Sequence, residues 1–234
     1  MNGAPQLRPG SLPQRPLISP DLPRGVLIIA EDMPYEDSNA STEKTVQRMC
    51  EHIHRASRDP YFAGAAHAIP RVWARNPTPV TQFQSLPAAS RYLAGVAIAD
   101  WWFAKHFIKF VPDQEITRKL LGYPDALEAL ISPEVMIRAI HPEGDCDCFS
   151  MFLCCLMQCQ SIPWELCALA CSRRQPGVWS HIFPRAALGS AFRLPLDASH
   201  GTYPGWSVPS RDIQRMAVWD QSGNLVTPPQ GEVI

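Results

Sequence analysis

Apolar positions recur at helical spacing in the first two thirds of the chain and at short, strand-like intervals after that. Val46, Met49, Cys50 and Ile53 share one face of a 3.6-residue period, which predicts an amphipathic helix over 41–58. Asp59-Pro60 ends it, because proline disfavours a helical residue before it. Prolines at 70, 77, 79 and 87 predict an irregular connection over 69–87. Residues 88–110 are apolar and alanine-containing, with Tyr92, Leu93, Val96, Trp101, Trp102 and Ile108, and predict a buried helix closed by Val111-Pro112-Asp113. Short helices are expected over 125–130 and 133–139, the second with Ser132 as N-cap and Pro133 at its first position. No proline or glycine interrupts 145–160, which predicts a helix leaving through Ser161-Ile162-Pro163.

Beyond this point the runs shorten. Strands are predicted at 165–171, 178–183, 191–196 and 215–219, separated by Gln175-Pro176-Gly177, Gly189-Ser190, Gly201 and Pro204-Gly205, with Ser222-Gly223-Asn224 following the last. Val26 to Ala30 is a further apolar run with strand character. Helices first and several short strands afterwards predict an α+β fold whose sheet is antiparallel.

Composition narrows the possibilities. Prolines at 5, 9, 13, 16, 20 and 23 make residues 1–24 an extended arm or linker outside the core, able to reach assembly partners. Residues 25–234 are then expected to form the domain, with a helical lead-in at 41–140 and a helix-and-sheet part at 144–220. A net charge of -1 gives no electrostatic case for a nucleic-acid partner, and no apolar run is long enough for a membrane span. The first residues do not read as a secretory signal, and seven of the eight cysteines crowd between Cys146 and Cys171, so reduced thiols and a cytoplasmic location are expected.

Three residue types in chain order carry candidate chemistry. Cys146, in Gly144-Asp145-Cys146, falls at the start of the predicted helix, where unpaired N–H groups and the positive dipole end favour a thiolate. Asp145 and Asp147 oppose that effect, so a histidine partner matters. His181 lies on a predicted strand and Asp197 at the end of the next, where two adjacent strands would bring base and orienting acid together.

Gly144-Asp145-Cys146, Ser161-Ile162-Pro163, Ser180-His181 and Pro195-Leu196-Asp197 together resemble the transglutaminase-like superfamily of cysteine peptidases and acyltransferases, whose core is papain-like. Trp101-Trp102, the run from Lys109 to Asp113, and Ser132-Pro133-Glu134 resemble the helical lead-in of its bacterial and phage members. The resemblance spans about residues 45–219. It implies Cys146 as nucleophile, His181 as base and Asp197 as orienting acid, acting on a peptide or protein amide without cofactor or metal. The chain departs from the family pattern at Cys148-Phe149-Ser150 and at Trp164, which replaces the usual arginine. Trp101 and Trp102 are candidates for completing an oxyanion hole.

A different class of function stays open beside this one. The same fold could serve as a non-catalytic component of a phage tail or virion, with the arm docking on a partner. Cys148, Cys155 and Cys159 share a helix face with Phe152, and Cys167 and Cys171 share a strand face with Leu169. Were these thiols to converge, they could bind zinc or an iron–sulfur cluster. His200 reads as a surface residue or a neighbour of the site, and His52 and His54 read as solvated.

Overall fold

A computed structural model describes residues 26–29, 38–73, 85–121, 128–190 and 192–226. The proline-rich arm expected at 1–24 lies outside them, as do residues 74–84 of the connection expected at 69–87. In chain order the elements are β1 (Val26–Ile29), α1 (Ser38–Ala56), α2 (Pro60–Trp73), α3 (Ala88–Phe107), β2 (Lys109–Phe110), α4 (Asp113–Leu121) and β3 (Glu128–Ile131). There follow α5 (Pro133–Met136), β4 (Glu143–Gly144), α6 (Cys146–Cys159), β5 (Trp164–Ala170), β6 (His181–Ala187), β7 (Arg193–Pro195), β8 (Arg215–Trp219) and β9 (Leu225–Val226). The fold is α+β, as the order of patterns predicts. The main sheet is antiparallel, in the order β7-β6-β5-β8-β9.

The core is built around α6. Residues from Asp147 to Met157 are all buried, because this helix is apolar on nearly every side and is wrapped rather than laid on a surface. Val46, Met49 and Ile53 of α1, Phe62 and Ala66 of α2, and Ala97 and Trp101 of α3 pack in the same cluster. Leu166 and Ala168 of β5 and Ile182 of β6 close it from the sheet side. Alternate residues of the sheet, Cys167, Leu169, Phe183 and Val218, form a smaller core on the opposite face. No helix among the described residues is long and apolar enough to cross a membrane.

Several expectations are corrected. Residues 60–73 form α2 although proline stands at 70, where an irregular connection was expected to begin. Proline in a helix interior orphans the carbonyl four residues back, here that of Ala66, and the Gln160 side-chain amide donates to that carbonyl at 2.6 Å. Asp59, read as a stop, also starts this helix: its Oδ1 accepts the N–H groups of Tyr61 and Phe62 at 2.9 and 3.1 Å. The helix from Ala88 ends at Phe107, because Lys109 and Phe110 pair in parallel with Glu143 and Gly144. Asp113 opens α4, with acidic residues in its first turn and basic ones in its last, matching the helix dipole.

Of the helix expected at 125–130, residues 125–127 lie outside the described ones and 128–130 belong instead to β3, which pairs antiparallel with β1 from Val26↔Ile131 to Ile29↔Glu128. A partner strand outweighs weak local helix preference in so short a run. The helix expected at 133–139 is α5, which stops at Met136. The strand expected at 178–183 begins only at His181 and continues through Pro184 to Ala187. Pro184 is tolerated there because its carbonyl accepts the Leu196 N–H at 2.9 Å, so its nitrogen faces β7, at the far edge of the pairing with β5.

Candidate active site

His181 and Asp197 are brought into contact by the β5–β6–β7 meander. His181 opens β6 opposite Leu169 of β5, and Asp197 follows β7, two residues past the last paired position, Pro195. His181 Nε2 lies 2.7 Å from Asp197 Oδ2, with both side chains buried. The carboxylate is the acceptor, so Nε2 carries the proton and Nδ1 is the bare nitrogen of the neutral ring. Nδ1 is buried and has no hydrogen-bond partner.

Asp197 is held by three further features of its own turn. Its Oδ1 accepts the Ser199 hydroxyl at 2.8 Å and the His200 N–H at 2.9 Å. Its carbonyl accepts the Gly201 N–H at 3.0 Å. A Cβ on Gly201 would collide with that carbonyl, so the turn needs glycine for close approach. Burial pushes the Asp197 carboxyl upward, but the His181, His200 and Ser199 hydrogen bonds outweigh it and hold the group below its ordinary range. It is therefore a carboxylate at neutral pH, able to stabilise a positive charge on His181.

Cys146 is half-buried at the first position of α6 and packs against the main core. The preceding strand β4 fixes where the helix starts: Val111 N–H donates to the Gly144 carbonyl at 3.0 Å. The first intrahelical bond runs from Phe149 N–H to the Asp145 carbonyl at 3.0 Å, so the N–H groups of residues 146–148 are not consumed by the helix. One turn on, the buried Ser150 hydroxyl lies 2.6 Å from the Cys146 carbonyl and 3.2 Å from the Ile182 carbonyl on β6. The turn bearing the thiol is thus tied to the strand bearing the histidine.

The surroundings contain Lys105, which the sequence pattern did not bring forward, and His200, which it did. Lys105 of α3 is half-buried and reaches the Ser199 carbonyl at 3.5 Å, with its pKa lowered by burial and partly restored by Asp197. His200 is exposed, as expected, but its ring meets that of His181 edge-on at 4.6 Å and that of Phe110 at 5.1 Å. Although the residue as a whole is exposed, the side of its ring turned to His181 and Phe110 is partly desolvated, and that desolvation together with the neighbouring His181 lowers its pKa. The signal for the Asp197 turn was present: Asp-x-Ser-His lets one carboxylate oxygen accept from the two following donors. Trp101 and Trp102 make ring contacts with each other and, for Trp102, with His106, rather than with His181 or Asp197.

Among the described residues no three cysteines form a metal-sized group, although Cys155 and Cys159, one turn apart, interact with each other, and that contact lowers the Cys159 thiol. Cys148 bonds the Ala129 carbonyl and the Ile131 N–H at 3.4 Å, Cys155 faces the Ile53 carbonyl at 3.8 Å, and Cys159 faces that of Ser57 at 3.7 Å. Cys167 and Cys171 belong to the other face of the sheet. Burial pushes the thiols of Cys148, Cys154 and Cys155 up, which suits small apolar core residues rather than thiolate ligands. Two metal-sized groups occur among the described residues, His181–Asp197–His200 and Asp145–Asp147–Cys148. In the first, both Asp197 oxygens are already committed to donors. In the second, the thiol is buried and raised.

His52 corrects a further expectation. It is buried, with Nδ1 2.7 Å from the Arg55 guanidinium. Burial and that charge lower its pKa to about 4. His54 is half-buried and bonds the Gln221 carbonyl at 2.8 Å.

No family model matches the chain, and no curated protein does. Among solved structures, a candidate protease from Parabacteroides distasonis superposes with a TM-score of 0.42 at 10% identity, over 79% of this chain and 30% of that one. The chain thus spans less than a third of that protein's length. So loose a superposition carries no weight for the chemistry.

Proposed function

We propose that the chain is a thiol-dependent acyl-transfer enzyme acting on amide bonds, a cysteine peptidase or amidase, with Cys146, His181 and Asp197 as its triad on a papain-like core. The observation that carries this reading is the buried His181–Asp197 hydrogen bond, which commits Nε2 and leaves Nδ1 as the base. The resemblance of the Gly-x-Cys, Ser-His and Leu-Asp segments to the transglutaminase-like superfamily supports the same assignment.

In this mechanism His181 Nδ1 takes the Cys146 proton, and the imidazolium is stabilised by Asp197. The thiolate sulfur attacks the amide carbon, and the developing oxyanion is met by N–H groups of the first turn of α6. The C–N bond breaks as His181 returns its proton to the leaving amine, giving a thioester. Water then attacks with His181 again as base, releasing the acid and the thiol.

The test is site-resolved alkylation of the folded protein by iodoacetamide from acid to mildly alkaline pH, with His181→Ala alongside. Cys146 should label at acid pH while Cys148, Cys154 and Cys155 stay inert, and the His181 change should abolish that acid reactivity. A Cys146 as inert as its buried neighbours would sink the enzymatic reading and leave the non-catalytic assembly role in its place.

A further inference from the structure

We infer that Ser150 is a positioning residue that sets the approach of Cys146 to His181, an inference that rests on the acyl-transfer reading. A serine inside a helix commonly bonds the carbonyl four residues back, and this alone is local. Ser150 does so to Cys146 at 2.6 Å, but its oxygen is also 3.2 Å from the carbonyl of Ile182, the residue after His181. The hydroxyl has one proton and faces two acceptors, one on each element that carries the proposed chemistry.

The place of Ile182 explains why a side chain is needed. Pro184, two residues on, directs its carbonyl toward β7, where the Leu196 N–H meets it at 2.9 Å. Ile182 presents its carbonyl to the same edge, because residues two apart in a strand point their backbone groups the same way. The ladder with β7 ends at Pro195 and the chain turns off to place Asp197. Departure of β7 leaves the Ile182 carbonyl without its next rung, and Ser150 supplies a donor from α6.

Ser150 is 1% exposed, so neither acceptor is readily satisfied by water when the hydroxyl is removed. The bond therefore fixes the height of the first turn of α6 over β6. Thiolate–imidazolium pairing depends steeply on that spacing, because both charges are partly desolvated.

The experiment compares the wild type, Ser150→Ala and Ser150→Thr by the pH profile of Cys146 alkylation, with thermal unfolding measured on each. Alanine is the better helix former and leaves no bulk to accommodate, so the variant is expected to fold. The acid arm of the profile should fall about tenfold in Ser150→Ala, equivalent to about one unit in the thiol's apparent pKa. The alkaline rate, where the thiol ionises unaided, should be unchanged. Threonine, which keeps the hydroxyl, should restore the acid arm. A purely structural serine would lower the unfolding temperature and leave the acid arm intact, which overturns the inference alone. A wild type without an acid arm overturns the acyl-transfer reading and this inference with it.

Discussion

A Cβ placed on Gly144 would stand 2.5 Å from the Cβ of Cys148, closer than two such atoms approach. The strand leading into α6 therefore lies directly against the first turn of the helix it starts. The glycine of the Gly-x-Cys segment is explained by this contact and not by its backbone angles. It permits β4 to pair with β2 while Cys146 begins the helix two residues later.

Gly144→Ala should accordingly destabilise the protein by about 1–3 kcal/mol, the usual cost of overpacking a closed site. Urea unfolding measures this. An unchanged midpoint would show that β4 and α6 can move apart.

Replacing Asp197 by asparagine keeps the size of the side chain but presents either an amide NH2 to a ring nitrogen that already donates, or an exchange of its oxygens' partners. The Ser199 and His200 donors hold the oxygen at their side. His181 Nε2 then loses its acceptor, and the acid reactivity of Cys146 should fall by at least about tenfold. Retention of wild-type reactivity at acid pH would remove Asp197 from the proposed machinery.

His52 makes stability depend on pH in a defined window. Its pKa is lowered in the folded protein from 6.5 to about 4. The unfolded chain thus takes up the proton first, so the contribution is whole above pH 6.5 and is lost as pH falls toward about 4. The full loss is on the order of 2–3 kcal/mol. His52→Gln, compared with wild type by unfolding across that range, should flatten this part of the slope; parallel curves would refute it.

The Gln160 amide couples two helices and a buried acid. It donates to the Ala66 carbonyl and to Asp100 Oδ1 at 3.2 Å, and burial raises the Asp100 carboxyl well above its ordinary range. Gln160→Ala should cost about 1–3 kcal/mol by orphaning those groups. In a Pro70→Ala background the restored backbone N–H can reach Ala66, so the same substitution should cost less. Equal costs in the two backgrounds would mean the amide does not compensate the proline.

Where a residue pattern decided its own structure, the sequence was legible. The uninterrupted apolar run of α6, the bounds of β8 and the core face of α1 follow from periodicity, and the His181–Asp197 contact follows from two short strands in sequence. Most of the misreadings share one cause: a local signal was answered by a distant partner. Pro70 was answered by Gln160, Glu128 to Ile131 by β1, and Pro184 by its position facing β7, while His52 was misread because the packing of its helix buries it. Ser150 looked like a departure from a family pattern, and its acceptor on β6 is visible only once helix and sheet are packed.

The order of the three residues along the chain has a consequence for synthesis. Cys146 is made before the meander that joins His181 to Asp197, so a growing chain carries the thiol for a time without the histidine proposed as its base. On the acyl-transfer reading proposed above, the reactivity of the thiol waits until β6 has been added and packed against α6, so the arrival of that strand would be the event that arms the protein.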